Sequence, residues 1–168
     1  MNELKEGVAV GGVYTVEHIR NGKLLEKFEA HNIIVNEGLN DMLNVQLHGT
    51  TQHSAWYVGL FEGNYTPVAT DTAATIASNS TECTAYDETV RQAWVEAAAS
   101  GQSISNSASK ATFTINATKT LYGAFLISDS TKGGTAGVLF SALKFPASRA
   151  VLATDQFLIT YTLSAASA

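Results

Sequence analysis

Asn21-Gly22 stands between two strand-forming runs, Val13 to Arg20 and Lys23 to Ala30. This dipeptide takes most readily the positive φ angles that a type I′ hairpin turn demands. The flanking runs mix apolar residues (Tyr14, Val16, Ile19, Leu24, Phe28) with charged ones (Glu17, Arg20, Glu26, Lys27, Glu29). An antiparallel hairpin with one wetted face is therefore expected. The segment before it, residues 1–11, is charged and then glycine-rich, and reads as a loosely specified arm, either frayed or ordered against a neighbouring subunit.

Beyond the hairpin, Leu39, Met42, Leu43 and Leu47 recur at a helical period and predict a helix over Asn36 to Leu47, with Asn36 as the cap. From Ala55 onward β-branched and aromatic runs dominate, at 55–62, about 90–98, 111–117, 120–128, 136–145 and 155–163. Turn chemistry separates them at Glu62-Gly63-Asn64, Ser100-Gly101 and Asp129 to Gly134. The count is about eight strands joined mostly by short turns. That rhythm predicts a mainly β chain: one antiparallel β-sandwich over residues 12–168, preferably with jelly-roll connectivity, carrying an N-terminal hairpin and one short α-helix. Thr66 to Thr84 lacks strong periodicity and reads as a long exposed connection with a helical turn near Thr72 to Ala77. Ala97 to Ser109 reads as merely small and polar.

With 168 residues the chain suits a single domain. A net charge of -5 and no clustered Lys or Arg argue against nucleic acid as a partner. The charge is uneven: residues through Glu96 sum to -8 and those after it to +3, an asymmetry that could bias docking. No run is long and apolar enough to cross a membrane, nothing at the N-terminus reads as a signal peptide, and Cys83 as the single cysteine excludes an internal disulfide. Assembly in a reducing cytosol is the expectation.

Catalytic and metal chemistry finds no complete constellation. His18, His31, His48 and His53 show no metal-ligand spacing. Ser103 lacks the second glycine of a nucleophile elbow, and Gly133-Gly134-Thr135-Ala136-Gly137 leads into a strand where a phosphate cradle needs a helix. Neighbouring carboxylates such as Asp87 and Glu88 default to a solvated edge. Cys83 has no adjacent base to activate it. The chain reads as a non-enzyme with no cofactor and no metal.

The richest stretch runs from Ala55 to Trp94. Strand alternation sends Trp56, Val58 and Leu60 to one face and Tyr57, Gly59 and Phe61 to the other, so the strand is either buried on both faces or turned toward another protein. Trp56 and Trp94 are expected in the core. The order of parts, an aromatic strand ending in Gly59-Leu60, a loop with Asp71, the pair Thr81-Glu82, then Tyr86 and Arg91 before an apolar strand, resembles small virion proteins of tailed bacteriophages. Capsid decoration (cement) proteins are the nearest analogue. The resemblance implies a subunit on the capsid surface, assembled in the host cytoplasm, that bridges major capsid protein subunits as a dimer or trimer. Contact with that partner is expected at Tyr57, Phe61, Tyr65, Pro67, Asp71, Tyr86 and Arg91. Two other classes compete: a tail-fibre or head-fibre module binding a host-surface glycan through loops 63–84 and 129–135, and a small glycan hydrolase needing a convergent carboxylate pair.

Overall fold

A computed structural model describes residues 7–167. The hairpin forms as expected: β1 (Val8–Arg20) and β2 (Lys23–His31) are joined by Asn21 and Gly22 at φ 51° and 70°. The chain then steps to a second sheet through β3 (Ile33–Ile34) and enters helix α1 (Asn36–Leu47). Asn36 is not the cap, because the capping position falls on Val35 and no side chain closes it. Instead the Asn36 amide donates to the carbonyl of Ala69, so a neighbouring loop does the capping.

The next elements are β4 (Trp56–Phe61), helix α2 (Ala73–Asn79), β5 (Glu82–Cys83), β6 (Gln92–Trp94) and β7 (Ser103–Ser105). Four more strands follow, β8 (Ala111–Thr114), β9 (Lys119–Ile127), β10 (Leu139–Val151) and β11 (Gln156–Ser167). All pairings are antiparallel. One sheet runs β2-β1-β11, with β7 and β8 along the far edge of β11. The other runs β3-β10-β9-β4, with β5 and β6 along β4.

Among the described residues eleven strands replace the roughly eight expected. The surplus comes from pieces of two or three residues, too short to carry a period. Ala97 to Ser109 is one such case: its middle is β7, held to β11 partly by hydroxyl contacts, Thr162 Oγ1 to Ser105 Oγ at 2.9 Å and Ser164 Oγ to Ser103 Oγ at 3.1 Å. The arm is shorter than expected too, since Val8 to Gly11 pair with Ser164 to Ser167 of β11. Residues 1–6 lie outside the described residues.

The main core fills the space between the sheets, where Tyr14, Val16, Phe113, Phe157 and Ile159 meet Val58, Leu60, Ala124, Leu126 and Phe145. A second cluster lies on the outer face of the β4-containing sheet, where Phe61, Phe125, Ile127 and Leu139 are covered by Val35, Ala73 and Ile76. Strand β4 is thus buried on both faces, the first of the two readings its bulk allowed. The stretch 66–84 is not an exposed connection but the cover of that outer face, and its helix α2 opens with a Thr72/Thr75 capping box. Gly59 and Gly123 make this layer possible. A Cβ on Gly59 would sit 2.3 Å from the Phe125 ring, and one on Gly123 would sit 2.0 Å from the Phe61 ring. Each ring lies over the glycine paired with it across the strands.

The charge asymmetry is spent inside the molecule. Every basic residue of the second half contacts the first half: Lys110 pairs with Glu17, Lys119 with Glu62 and Arg149 with Glu26, while Lys132 donates to the Tyr86 carbonyl and Lys144 to Thr66 Oγ1. Both sheets are built from both halves, which join at β1/β11 in one sheet and at β3/β10 and β4/β9 in the other, so complementary charges are brought together. At exposed positions each pair adds little stability, and the set helps specify which strands meet.

Candidate functional site

Arg91 organises the stretch that the sequence singles out. Its side chain is fully buried, and its guanidinium grips Glu82 with two bonds, Nε to Oε1 at 2.9 Å and Nη2 to Oε2 at 2.7 Å. The remaining donors reach the carbonyls of Asp129 (3.0 Å) and Gly134 (2.9 Å). Glu82 also accepts the Gly133 amide at 2.9 Å, and the Arg91 amide donates to the Ser130 carbonyl at 2.8 Å. One buried fork thereby fastens the 129–137 turn to β5 and β6. Lys132 adds to the clamp by lying 3.7 Å from the centre of the Tyr86 ring.

A parallel arrangement closes the 62–81 connection. Buried Asp71 accepts the Tyr65 hydroxyl at 2.7 Å and the Val68 amide at 2.8 Å. Burial, with the Asp71 carboxylate beside it, raises the Tyr65 phenol above its ordinary value. Glu37, in the first turn of α1, uses a single oxygen to accept the amides of Ala73 (2.8 Å) and Leu139 (2.6 Å), joining both helices to β10.

These contacts correct the expected partner-contact set. Phe61, Asp71, Tyr86 and Arg91 are all buried, and their rings or polar atoms are committed to the interior. They cannot present a surface. Tyr57, Tyr65 and Pro67 remain half-buried at the outside of the same layer. Around them every exposed residue from Asn64 to Thr81, and again from Thr131 to Gly137, is uncharged, and Val68 is 47% exposed. The expected contact set lacks Glu37, Glu82 and Asp129, whose partners lie 102, 9 and 38 positions away along the chain, although Glu82 stands in the motif that carries the resemblance.

Two further arrangements lie elsewhere. Between α1 and the end of the sandwich is a cleft of about 160 Å³, lined by Gln46, Gln52, Trp56 and Trp94 together with His53, whose Nε2 lies 2.9 Å from Asp41 Oδ1. Trp94 donates its indole N–H to the Tyr161 carbonyl, and burial pushes the Tyr161 phenol up to about 12. Trp94 is thus a core residue, as expected, whereas Trp56 sits half-buried at the cleft wall. At the opposite seam His18 and Arg20 both hold the buried Asp155, the arginine through bonds of 2.7 Å. The Arg20 hydrogen bonds keep that carboxyl well below the usual carboxylate range. Burial pushes the Cys83 thiol up, away from a reactive thiolate.

Fold and site together define an antiparallel β-sandwich with a covered outer sheet face and a pinned loop surface whose exposed residues are uncharged. Among the described residues no helix is long and apolar enough to cross a membrane. No family model matches the chain, and no curated protein matches it.

Proposed function

We propose that the chain is a virion structural protein that binds the outside of a phage capsid and stabilises it by bridging major capsid protein subunits. The observation that carries this reading is the surface over residues 64–81 and 131–137, whose exposed residues are all uncharged and whose two nearby ammonium groups, Lys132 and Lys144, are engaged by the Tyr86 carbonyl and Thr66 Oγ1. The groups beneath it that could do chemistry are turned inward to pin its loops, and its exposed residues are Thr, Ala, Ser, Asn, Gly and Val. Such a surface can pack closely against a neighbour without stripping water from ionised groups. Pinned loops also lose little conformational freedom on docking. One modest contact per copy, repeated over a symmetric shell, would give large total stabilisation.

A second reading, a fibre module binding a host-surface glycan, draws on the α1 cleft, where the Trp56 ring stands beside Gln46, Gln52 and the Asp41–His53 pair. Aromatic walls with amide and carboxylate groups suit a sugar's apolar face and hydroxyls. Copy counting by mass spectrometry of purified virions separates the two. The capsid reading expects copies in fixed proportion to the major capsid protein; a handful of copies per particle favours the fibre, and absence from particles overturns both.

A further inference from the structure

Strand β1 outruns its neighbour. Pairing with β2 stops at Val13, opposite His31, yet β1 continues back to Val8 with only β11 beside it. Five residues, Val8 to Gly12, therefore form one half of a two-stranded ribbon whose outer edge faces no described strand.

The backbone direction of that edge follows from two hydrogen bonds. The Gly12 carbonyl accepts from Asn32 on the β2 side, whereas the Ala165 amide of β11 points the other way, to the Gln102 carbonyl. In an antiparallel ladder both polar groups of a residue point to the same side, and the side alternates along the strand. Ala9 and Gly11 thus bond to β11, and Val8 and Val10 turn N–H and C=O toward the open edge. The side chains of Val8 and Val10 share the face of Tyr14 and Val16, extending the core stripe past the end of the core, and Val8 is 73% exposed.

Neighbouring β2 shows how this chain treats an edge meant to stay single. It carries Lys23, Glu26, Lys27 and Glu29 in nine residues, the charged dressing that blocks pairing with another chain. Val8-Ala9-Val10-Gly11-Gly12 has no charge, no proline and two outward-facing valine backbones. Such an edge is a template for one more strand.

We propose that this edge pairs with the same edge of a second copy, antiparallel about a two-fold axis at Val10, joining two sheets into one that runs through the dimer. The segment is self-complementary in that arrangement. Val10 lies opposite Val10 and exchanges both bonds with it, Val8 lies opposite Gly12, and the valines of the two copies close an apolar strip with no like charges facing each other. The Gly12 carbonyl is already committed to Asn32, so the outermost bonds use its amide alone. The inference is independent of the capsid reading, because it concerns only how copies meet.

Sedimentation velocity of the full chain, with Val10→Pro beside it, tests the pairing. Proline at Val10 removes an outward N–H and puts a ring on the open edge while leaving the Ala9 and Gly11 bonds to β11 in place. The wild type is expected as a dimer, and Val10→Pro should weaken self-association at least about tenfold. Val10→Lys, which sets two like charges face to face, should do the same and recover partly in high salt, while Val10→Thr should stay dimeric. Circular dichroism melts check that the variants fold. Hydrogen exchange gives a second readout: the Val10 and Gly12 amides should be protected in the wild type and open in Val10→Lys. A monomeric wild type, a trimer, or a dimer indifferent to Val10→Pro and Val10→Lys would overturn the proposal.

Discussion

Replacing Arg91 by methionine is the sharpest perturbation of the loop clamp. Methionine keeps an apolar stem and removes the guanidinium that lies 5.3 Å from the centre of the Phe125 ring, with all its donors. Glu82, whose side chain is 2% exposed, would then retain only the Gly133 amide as a partner. Removing one member of a buried pair costs about 3–5 kcal/mol, chiefly because the other charge is left behind. For a chain of this length that corresponds to a fall in Tm of about 6–20 °C. Urea unfolding at pH 7 measures it. The origin of the loss is checked by Arg91→Met combined with Glu82→Gln, where neutralising the stranded carboxylate should restore about 2 kcal/mol relative to Arg91→Met alone. Amide exchange across Asp129 to Gly137 should quicken in both variants, because the carbonyls of Asp129 and Gly134 lose their donor in either case. A loss below about 1 kcal/mol, or a double variant no better than the single, would refute the claim that this fork holds the surface in place.

Other consequences follow from single contacts. Gly123→Ala puts a methyl 2.0 Å from the Phe61 ring and 2.1 Å from the Leu143 carbonyl oxygen, so it should cost about 3 kcal/mol or more in urea unfolding; a near-neutral result would mean that the outer layer yields easily. The buried Tyr86 hydroxyl has no partner among the described residues, so Tyr86→Phe should leave the chain as stable or up to about 1 kcal/mol more stable, and a clear loss of stability would reveal a bound water or other partner. Asp155, held below the ordinary carboxylate range by Arg20, lends stability that is complete above the unfolded value near 4 and is withdrawn as pH falls toward its lower folded value. The stability gap between wild type and Asp155→Asn should therefore be wide at pH 7 and shrink below about pH 4, and a gap constant with pH would contradict the assignment.

What could be read from the sequence was whatever has a local cause. Asn21-Gly22 dictates its own turn, the leucine and methionine spacing of α1 dictates its helix, and the bulk on both faces of β4 requires cover on both sides. Connections of two or three residues escape such reading. Strands β3, β5 and β7 exist because a longer neighbour offers them an edge, and nothing in Ile33-Ile34, Glu82-Cys83 or Ser103-Ile104-Ser105 announces it. The candidate site was legible in its ingredients and misread in their direction. Asp71, Tyr86 and Arg91 carry the groups that make interfaces, but whether such a group faces solvent or a buried partner depends on Glu82, Asp129 and Tyr65 arriving from other parts of the chain. The charge imbalance between the halves was visible as well; that it is neutralised within one molecule follows only from both halves contributing strands to both sheets.

The capsid proposal requires that the pinned surface over residues 64–81 and 131–137 docks onto the shell. Co-sedimentation of the purified chain with capsids lacking it, titrated to saturation, tests this most directly when compared with a variant carrying Val68→Glu and Thr70→Lys on that surface. The wild type should saturate at a fixed ratio to the major capsid protein, and the variant should lose binding with its melting temperature preserved. Binding that never saturates, or that survives the two charges unchanged, would contradict the proposal.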